Sequence, residues 1–279
     1  MTPTLFDNMS WEMAEVYGAI TDQILVNLSK YFPNFKESDL PVSSFAYQAT
    51  MLAQMGKVNN QTVKIIRQGL SGADDALERF IEQAIIDSVR KTQPELLDAL
   101  KKGLVTPPGV AQIALSPNQM RAFQLYYVQA ADKLNLVNSV MLESTRQAYQ
   151  QTINDVVTRI NNTQRALNVG AGETIAGVSS WNQAVRDAIK QLQEKGITGF
   201  IDHAGRRWSA EAYVAMDIRT TLANTARAAV WETNENFGND LYQVSYHIAA
   251  RPLCFPWQCK VISANDNART VHDLYGNEV

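Results

Sequence analysis

The sequence predicts a mainly α-helical protein with an α+β module at its C-terminus. Long stretches of the 279 residues repeat apolar side chains every three or four positions, as amphipathic helices do. Neither Pro nor Gly occurs within residues 118–169, which indicates one very long helix. After Gly238 an alternating apolar set appears, which is typical of strands. We therefore expect a helical N-terminal region, one very long helix, and a small antiparallel sheet with helices.

Composition supports a globular protein. Hydrophobic residues make up 46% of the chain and charged residues 19%, which excludes wholesale disorder. The formal net charge of −3 gives no bulk electrostatic reason to bind nucleic acid or an anionic membrane. No apolar run approaches the roughly 20 residues needed to cross a bilayer. Two cysteines do not make a disulfide framework, so we expect folding in a reducing cytoplasm.

Residues 1–115 are predicted to be helical. An apolar stripe from Met13 to Leu28 defines a first helix, which Ser10 is expected to cap and which ends before Pro33. The turn residues 106–109 close the region. Shorter amphipathic helices are expected between these limits, at residues 44–55, 61–68, 77–89 and 94–102.

The long helix is predicted from Ser116-Pro117, a capping hydroxyl followed by proline at the first helical position. Its apolar seam alternates steps of three and four, with a stutter of four-residue steps in the middle. About fifty residues at ~1.5 Å each would span roughly 75 Å. The seam comprises Met120, Phe123, Tyr127, Ala130, Leu134, Val137, Met141, Thr145, Tyr149, Ile153, Val156, Ile160, Thr163 and Leu167.

Two interpretations of this seam are open. Two consecutive helices of one bundle could be joined near Ser144. We favour an extended coiled-coil-like helix used for assembly, whose apolar edge is offered to partner subunits. The glycines at 170 and 172 end the helix and divide the chain into three parts, residues 1–115, 116–172 and 173–279.

The C-terminal part begins with a helix that a capping box of Ser180 and Gln183 starts and that Gly196 ends. The segment GFIDHAGRRWS predicts a hairpin with Gly205 in its turn. Ser209 is expected to cap a helix over 210–235. Two strands follow, one after Gly238 and one at KVIS, residues 260–263.

The segment SYHIAARPLCFPWQCKVIS, residues 245–263, holds both cysteines. With His247 and His272, Cys254 and Cys259 could complete a Cys2His2 zinc site, although the spacing is irregular. The same cysteines could also form a disulfide or supply a catalytic thiol, but neither cysteine starts a helix that would lower a thiol pKa. We favour small buried apolar thiols. No catalytic residue is predicted, and zinc is the one cofactor considered.

A polar face runs along the helix at 210–235. Thr220, Asn224 and Arg227 recur at four and three residues, so they share one side of that helix. A polar network that locks the helix to the sheet is the favoured interpretation, and a phosphate contact is the alternative. Asp202 with Arg206 or Arg207 is expected to act similarly across the hairpin.

Three motifs in order carry a resemblance to a known family. The first is a hairpin with Asp-x-x-Gly-Arg-x-Trp, the second a helix with Tyr-x-x-Met-x-x-Arg-Thr-Thr, and the third a turn with His-x-x-x-Arg-Pro-x-Cys-x-x-Trp-Gln. They resemble the phage minor capsid protein 2 family, relatives of the Mu F-type head-morphogenesis proteins. The matching residues are Asp202, Gly205, Arg206 and Trp208; Tyr213, Met216, Arg219, Thr220 and Thr221; and His247, Arg251, Pro252, Cys254, Trp257 and Gln258.

The resemblance implies a structural virion protein, present in few copies at the portal vertex and acting in head assembly or in genome packaging or ejection. Its implied partners are the portal protein and other head proteins, with copies of itself and phage DNA as further candidates and no membrane. The implied location is the capsid, after assembly in the host cytoplasm. The resemblance leads us to expect glycine where this chain has Cys259, and a further Cys/His-bearing segment after residue 279, so the C-terminus could be truncated.

On this interpretation the motif at 247–258 is a structural turn. Pro252 and Pro256 stiffen it, Trp257 is expected to plug it into the module, and Arg251 with Gln258 pins its backbone. The alternatives are a metal-binding or capsid-carried enzyme and a DNA-contacting factor. The DNA-contacting factor would use Arg206, Arg207, Arg219 and Arg227 as a local basic patch.

Overall fold

The computed structural model describes residues 3–41, 43–103, 117–168, 177–197, 200–201 and 205–263. Helices dominate this part of the chain, and the strands are short, so the mainly α prediction is confirmed. The helices are α1 Pro3–Lys30, α2 Ser44–Ala53, α3 Met55–Gly69, α4 Ala73–Lys101, α5 Pro117–Asn168, α6 Val178–Lys195 and α7 Ala210–Asn236. The strands are β1 Phe200–Ile201, β2 Arg207–Trp208, β3 Leu241–Gln243 and β4 Val261–Ser263.

The chain forms two compact units. The helical unit contains Thr2–Ile81 and Leu125–Ala223, and the C-terminal unit contains Met1, Glu82–Gln124 and Asn224–Val279. The borders between them fall within α4, α5 and α7. The three-part division expected from the sequence stays a prediction, and its borders at residues 106–109 and 169–172 lie outside the described residues.

The apolar stripe of α1 lies in the core of the helical unit, as predicted. Tyr17, Ile20 and Ile24 are buried, and Ile20 lies against α3 at Gly69. A Cβ at Gly69 would lie 2.3 Å from Cγ1 of Ile20, so only glycine allows this close approach. The predicted cap at Ser10 is wrong. Ser10 is buried within α1, which already begins at Pro3, and its hydroxyl donates to the Asp7 carbonyl.

Helix α4 corrects a second prediction, because the segments expected as separate helices form one. Pro94 lies inside this helix. A proline removes one backbone hydrogen bond, yet the helix continues and buries Leu96 two residues later. Burial of an apolar side chain thus outweighs the local signal to stop.

Helix α5 is a single helix of 52 residues that begins at Pro117, so the alternative break near Ser144 is excluded. Ser116 and the side chain of Leu167 lie outside the described residues. The middle of the predicted seam, which we call the α5 seam, is buried within the chain itself. Its members are Ala130, Leu134, Val137, Met141, Thr145, Tyr149, Ile153, Val156 and Ile160.

Helices α1 and α2 and the residues after α1 supply partners for the α5 seam. The ring of Tyr149 lies 5.3 Å from that of Phe32 and 6.4 Å from that of Tyr31, between centroids. Its hydroxyl donates to the carbonyl of Met51 at 3.1 Å. The hydroxyl of Tyr17 donates to Asn138 at 3.0 Å. The expectation that this edge is offered to partner subunits is therefore wrong for residues 130–160, since the chain's own helices cover it.

Helix α6 is anchored by an aromatic cluster. Trp181 is buried and its ring lies 5.4 Å from that of Phe35 and 5.2 Å from that of Tyr47. Asn182 accepts from the backbone N–H of Phe35 at 2.7 Å and donates to its carbonyl at 3.0 Å. Gly196 ends the helix with φ +66°, as predicted.

The predicted capping box at the start of α6 is wrong. The helix begins at Val178, and Gly177 precedes it without a side-chain cap. Ser180 lies within the first turn, and the amide of Gln183 donates to Asp187 one turn later, at 2.7 Å. Gln183 therefore supports the exposed side of α6 rather than its start.

The remaining elements form as the sequence predicts. Strands β1 and β2 form an antiparallel hairpin, with Gly205 at φ +76° between them. The Ser209 hydroxyl accepts from the backbone N–H of Ala212 at 3.2 Å and so caps α7. Strands β3 and β4 pair antiparallel, with Tyr242 opposite Ile262.

Candidate functional site

The connection between β3 and β4, residues 244–260, concentrates exposed apolar side chains. We call it the apolar loop. Large apolar groups fully open to water are uncommon as contiguous sets, and such sets mark interaction sites. The exposed fractions are 66% for Tyr246, 90% for Ile248, 87% for Leu253, 67% for Phe255 and 55% for Trp257.

The base of the apolar loop is closed by backbone hydrogen bonds. The N–H of Val244 donates to the carbonyl of Lys260 at 2.8 Å, and the N–H of Cys259 donates back to the carbonyl of Val244 at 2.9 Å. One layer further out, the side-chain oxygen of Gln258 accepts from the backbone N–H of His247. These three bonds extend the hairpin beyond its strands and hold both sides of the loop together.

The tip of the loop is a tight turn. The carbonyl of Arg251 accepts from the N–H groups of Cys254 and Phe255, at 2.8 and 3.0 Å. Pro252 and Pro256 each have a fixed φ, and residues 255–257 form a 3-10 turn. The exposed side chains are therefore displayed by an ordered backbone.

Cys259 has a φ of +62°, the left-handed region that favours glycine. This is the position at which the family resemblance leads us to expect glycine. The backbone explains that expectation, because a side chain there is strained. The conformation turns the chain from the loop into β4.

Helix α7 supports the hairpin that carries the loop. The rings of Trp231 and Tyr242 stack with 4.3 Å between centroids and 9° between planes. The Tyr242 hydroxyl donates to the Trp231 carbonyl at 3.3 Å, and the Trp231 indole donates to Glu235 at 2.9 Å. Burial and the nearby Glu235 raise the pKa of Tyr242, so its hydroxyl stays a donor. Sequence reasoning missed Trp231, whose only signal was an aromatic on the last turns of the helix.

The electrostatic character of the loop is positive. Residues 241–263 contain Arg251 and Lys260 and no Asp or Glu. Arg251 is exposed, and the ammonium of Lys260 lies 5.8 Å from the centre of the Trp257 ring. A cation at that distance is attracted by the aromatic face. The loop thus combines apolar tips with two cations.

The loop differs from the sequence expectations in two ways. Trp257 is more than half exposed, so its side chain does not pack into the module as expected. Cys254 is exposed and Cys259 half-buried, both as free thiols, so the favoured interpretation as buried apolar groups is wrong for Cys254. Arg251 holds the turn through its backbone carbonyl, while Gln258 acts through its side chain.

The interpretation of the loop as a zinc site is not supported by a cluster of ligands among the described residues. Among the described residues, no three His, Cys, Asp or Glu side chains are placed to hold an ion. His272 lies outside those residues, so the four-ligand set with His247, Cys254 and Cys259 stays a prediction.

Most of the remaining motif residues act within their own element, whereas Arg219 joins α7 to α1. Asp202 lies outside the described residues, and the Arg206 guanidinium lies 5.7 Å from the centre of the Trp208 ring. Arg219 pairs with Asp7 of α1 at 2.8 Å. Arg227 donates to Asn224 at 2.7 Å. Thr220 donates to the carbonyl of Met216 at 2.8 Å, so the bonds of Thr220 and Arg227 stay within α7 and do not form the expected lock to the sheet.

One ionic contact was not foreseen. Asp217 on α7 is buried and pairs with Lys133 of α5. Burial raises the pKa of the Asp217 carboxyl, and Lys133 acts in the opposite direction. Nothing in either local sequence marks this pair, because its members are 84 residues apart. It joins two helices of the helical unit and does not form part of the loop.

Within the described residues, the helices fall short of the combined length and apolar character that a bilayer crossing demands.

The comparisons with known proteins point to phage heads. A family described as phage minor capsid protein 2 matches residues 1–278. A structural protein of Lactococcus phage LL-H is 24% identical over 218 residues, which cover 77% of this chain and 54% of that protein. The chain thus spans about half the length of that curated relative. No solved structure matches. Because the family match covers nearly every residue, the chain belongs to the phage minor capsid protein 2 family.

Proposed function

We propose that this protein is a non-enzymatic structural component of the head of a tailed phage, located at the portal vertex. There it acts in head assembly or in genome packaging or ejection, in contact with the portal protein and other head proteins. The observation that carries the proposal is the apolar loop, an ordered turn that displays Ile248 and Leu253 to solvent. An exposed apolar set on a fixed backbone suits a protein that works by docking.

The buried α5 seam supports this assignment of roles. The α5 seam residues from Ala130 to Ile160 are covered inside the chain, so they stabilise the helical unit and are not available for assembly contacts. The exposed apolar loop is then the surface best suited to bind a partner. The helical unit serves as scaffold, and the C-terminal unit carries the docking surface.

The names of the matched family and of the phage LL-H relative both describe structural proteins, which favours a role without catalysis. The exposed Cys254 has no histidine hydrogen-bonded to it among the bonds that hold the loop, whereas His247 accepts from the backbone of Ala249. An adjacent base is a common means of activating a thiol nucleophile.

Asymmetric electron cryo-microscopy of intact particles tests the location. We expect density for this protein at the single vertex that carries the portal. Equal density at every vertex, or throughout the capsid shell, would contradict the proposal. Particles made without the protein serve as the control, since the assigned density must be missing from them.

A further inference from the structure

We propose that the apolar loop docks into an apolar groove with an Asp/Glu-bearing rim on another protein of the phage head. This inference rests on the proposed function, because it assumes that the chain works among head proteins. It specifies the surface used on this chain and the chemistry of the partner.

The side chains of the apolar loop are exposed to different degrees. Ile248 and Leu253 are about nine-tenths exposed, and the aromatic rings of Phe255 and Trp257 are exposed to a smaller degree. Interfaces are usually anchored by a few large side chains that fill pockets on the partner, with Trp, Tyr and Arg enriched among them. The two aliphatic side chains protrude furthest into solvent, and Tyr246 and Trp257 beside them supply the rings that commonly anchor an interface.

The backbone of the apolar loop is fixed by hydrogen bonds. The bond from His247 to Gln258 and the turn closed on the Arg251 carbonyl hold the loop in one shape before any partner binds. A pre-ordered loop loses less conformational entropy on binding to a partner of fixed shape. A fluid lipid surface has no fixed shape and would not require this ordering.

The charge of the apolar loop favours an acidic partner. Arg251 and Lys260 are the only charged side chains within 241–263, so the loop is complementary to a surface bearing carboxylates. Proteins bind nucleic acid largely through many contacts of Lys and Arg with phosphates, each of which releases counterions. Two cations would release few counterions and so contribute little affinity. The two most exposed side chains, Ile248 and Leu253, are aliphatic and cannot stack on bases as the rings of an aromatic platform do. The combination favours an acidic, apolar protein surface over DNA.

A second copy of the loop is a poor partner by the same reasoning. Two such loops meeting face to face would bring Arg251 and Lys260 of both copies together, and like charges across an interface are unfavourable.

Site-specific photo-crosslinking in assembled particles tests the proposal. A benzophenone amino acid is placed in the protein instead of Leu253, and the cross-linked peptide is identified by mass spectrometry. The expected product joins the loop to a segment of a different head protein that contains Asp or Glu among apolar residues. Phe45 on α2, which is 81% exposed, provides a matched control position that should not give this product.

Any different product overturns the inference. Such products are a cross-link to a second copy, to residues 264–279 of the same chain, to DNA, to lipid or to a segment without acidic residues. The absence of any cross-link overturns it as well.

Charge reversal gives an independent test. The double variant with Arg251→Glu and Lys260→Glu should reduce incorporation into particles by about tenfold. This factor corresponds to a loss of about 1.4 kcal/mol of binding free energy. The control is Lys57→Glu with Lys64→Glu, which makes the same change in net charge at two exposed positions of α3. Reversing the acids of the cross-linked segment should restore incorporation of the loop variant. Equal incorporation of both variants would overturn the role of charge.

The two proposals fail separately. Density at the portal vertex without the expected cross-link removes the docking surface and leaves the proposed function standing. The expected cross-link together with density elsewhere in the head supports the docking surface and removes the proposed location at the portal vertex.

Discussion

The α5 seam and the apolar loop are both rich in apolar side chains, yet the seam is buried and the loop is exposed. The seam repeats with helical period and is buried from Ala130 to Ile160, whereas the loop has no helical repeat and is exposed from Tyr246 to Trp257. A periodic stripe shows that one side of a helix will be covered. It does not show which molecule covers it. In this protein the chain covers its own seam and leaves the irregular loop open.

Because of this difference in burial, similar substitutions should have different effects in the two regions. Removing apolar groups from the seam should reduce the free energy of unfolding, because transfer and cavity terms add there. Removing them from the loop should leave stability nearly unchanged and weaken docking instead. Substitutions in the buried regions should therefore have the largest effects on stability, and those at exposed positions of the loop the smallest.

Tyr149→Ala should have the largest effect. Tyr149 is buried against Tyr31 and Phe32, so the substitution should lower the free energy of unfolding by about 3–5 kcal/mol. Tyr149→Phe keeps the ring and removes only the hydrogen bond to Met51, so about 1 kcal/mol is expected. Urea denaturation of both variants provides the comparison. A loss below about 1 kcal/mol for the alanine variant would mean that the seam is not closed within the chain.

Gly69→Ala should come next. The new methyl group would overlap the buried side chain of Ile20, and overpacking of this kind costs about 1–3 kcal/mol. Gly56→Ala lies on the same helix with nothing within 4 Å of the new Cβ, and it should stabilise by about 0.5–1 kcal/mol. Thermal unfolding should shift in opposite directions for the two variants. A shift in the same direction would contradict the close approach of α1 and α3.

Cys259→Gly moves the test to the apolar loop. Because Cys259 occupies the left-handed region, glycine should relieve strain and stabilise the C-terminal unit by about 1 kcal/mol. Cys254→Gly is the matched control, since Cys254 has an ordinary helical φ of −93° and should gain nothing. Hydrogen exchange of the amides in β3 and β4 reports the change. Slower exchange in both variants, or in neither, would show that the positive φ is not what distinguishes them.

Leu253→Ala should have the smallest effect. Leu253 is 87% exposed, so the free energy of unfolding should change by less than about 0.5 kcal/mol. Leu134→Ala removes the same atoms from the α5 seam and should cost about 2–5 kcal/mol. Similar losses for the two leucine variants would remove the distinction between seam and loop.

The elements of this fold could be predicted where local signals agree. Pro117 followed by a long stretch without Pro or Gly predicted α5, Gly205 predicted the β1–β2 turn, and Ser209 predicted the start of α7. Local signals failed where a tertiary contact outweighed them. Pro94 did not end α4, because the helix gains burial of Leu96 beyond it.

The candidate site was only partly predictable. The motif around His247 and Gln258 correctly indicated an ordered turn, since prolines and a side-chain acceptor fix the backbone. The exposure of Trp257 could not be predicted, because a tryptophan in a turn usually packs onto its own module. The support from Trp231 depends on how α7 meets β3, which single-segment patterns do not encode.

The native thiol of Cys254 allows the most direct measurement of the central claim. Alkylation of Cys254 should be fast in the isolated protein and at least about tenfold slower in assembled heads, because a docked partner covers the loop. A cysteine introduced by Ile153→Cys should be protected in both states, since the seam is closed by the chain itself. Rapid labelling at position 153 in the isolated folded protein, together with unchanged labelling of Cys254 in heads, would contradict the account.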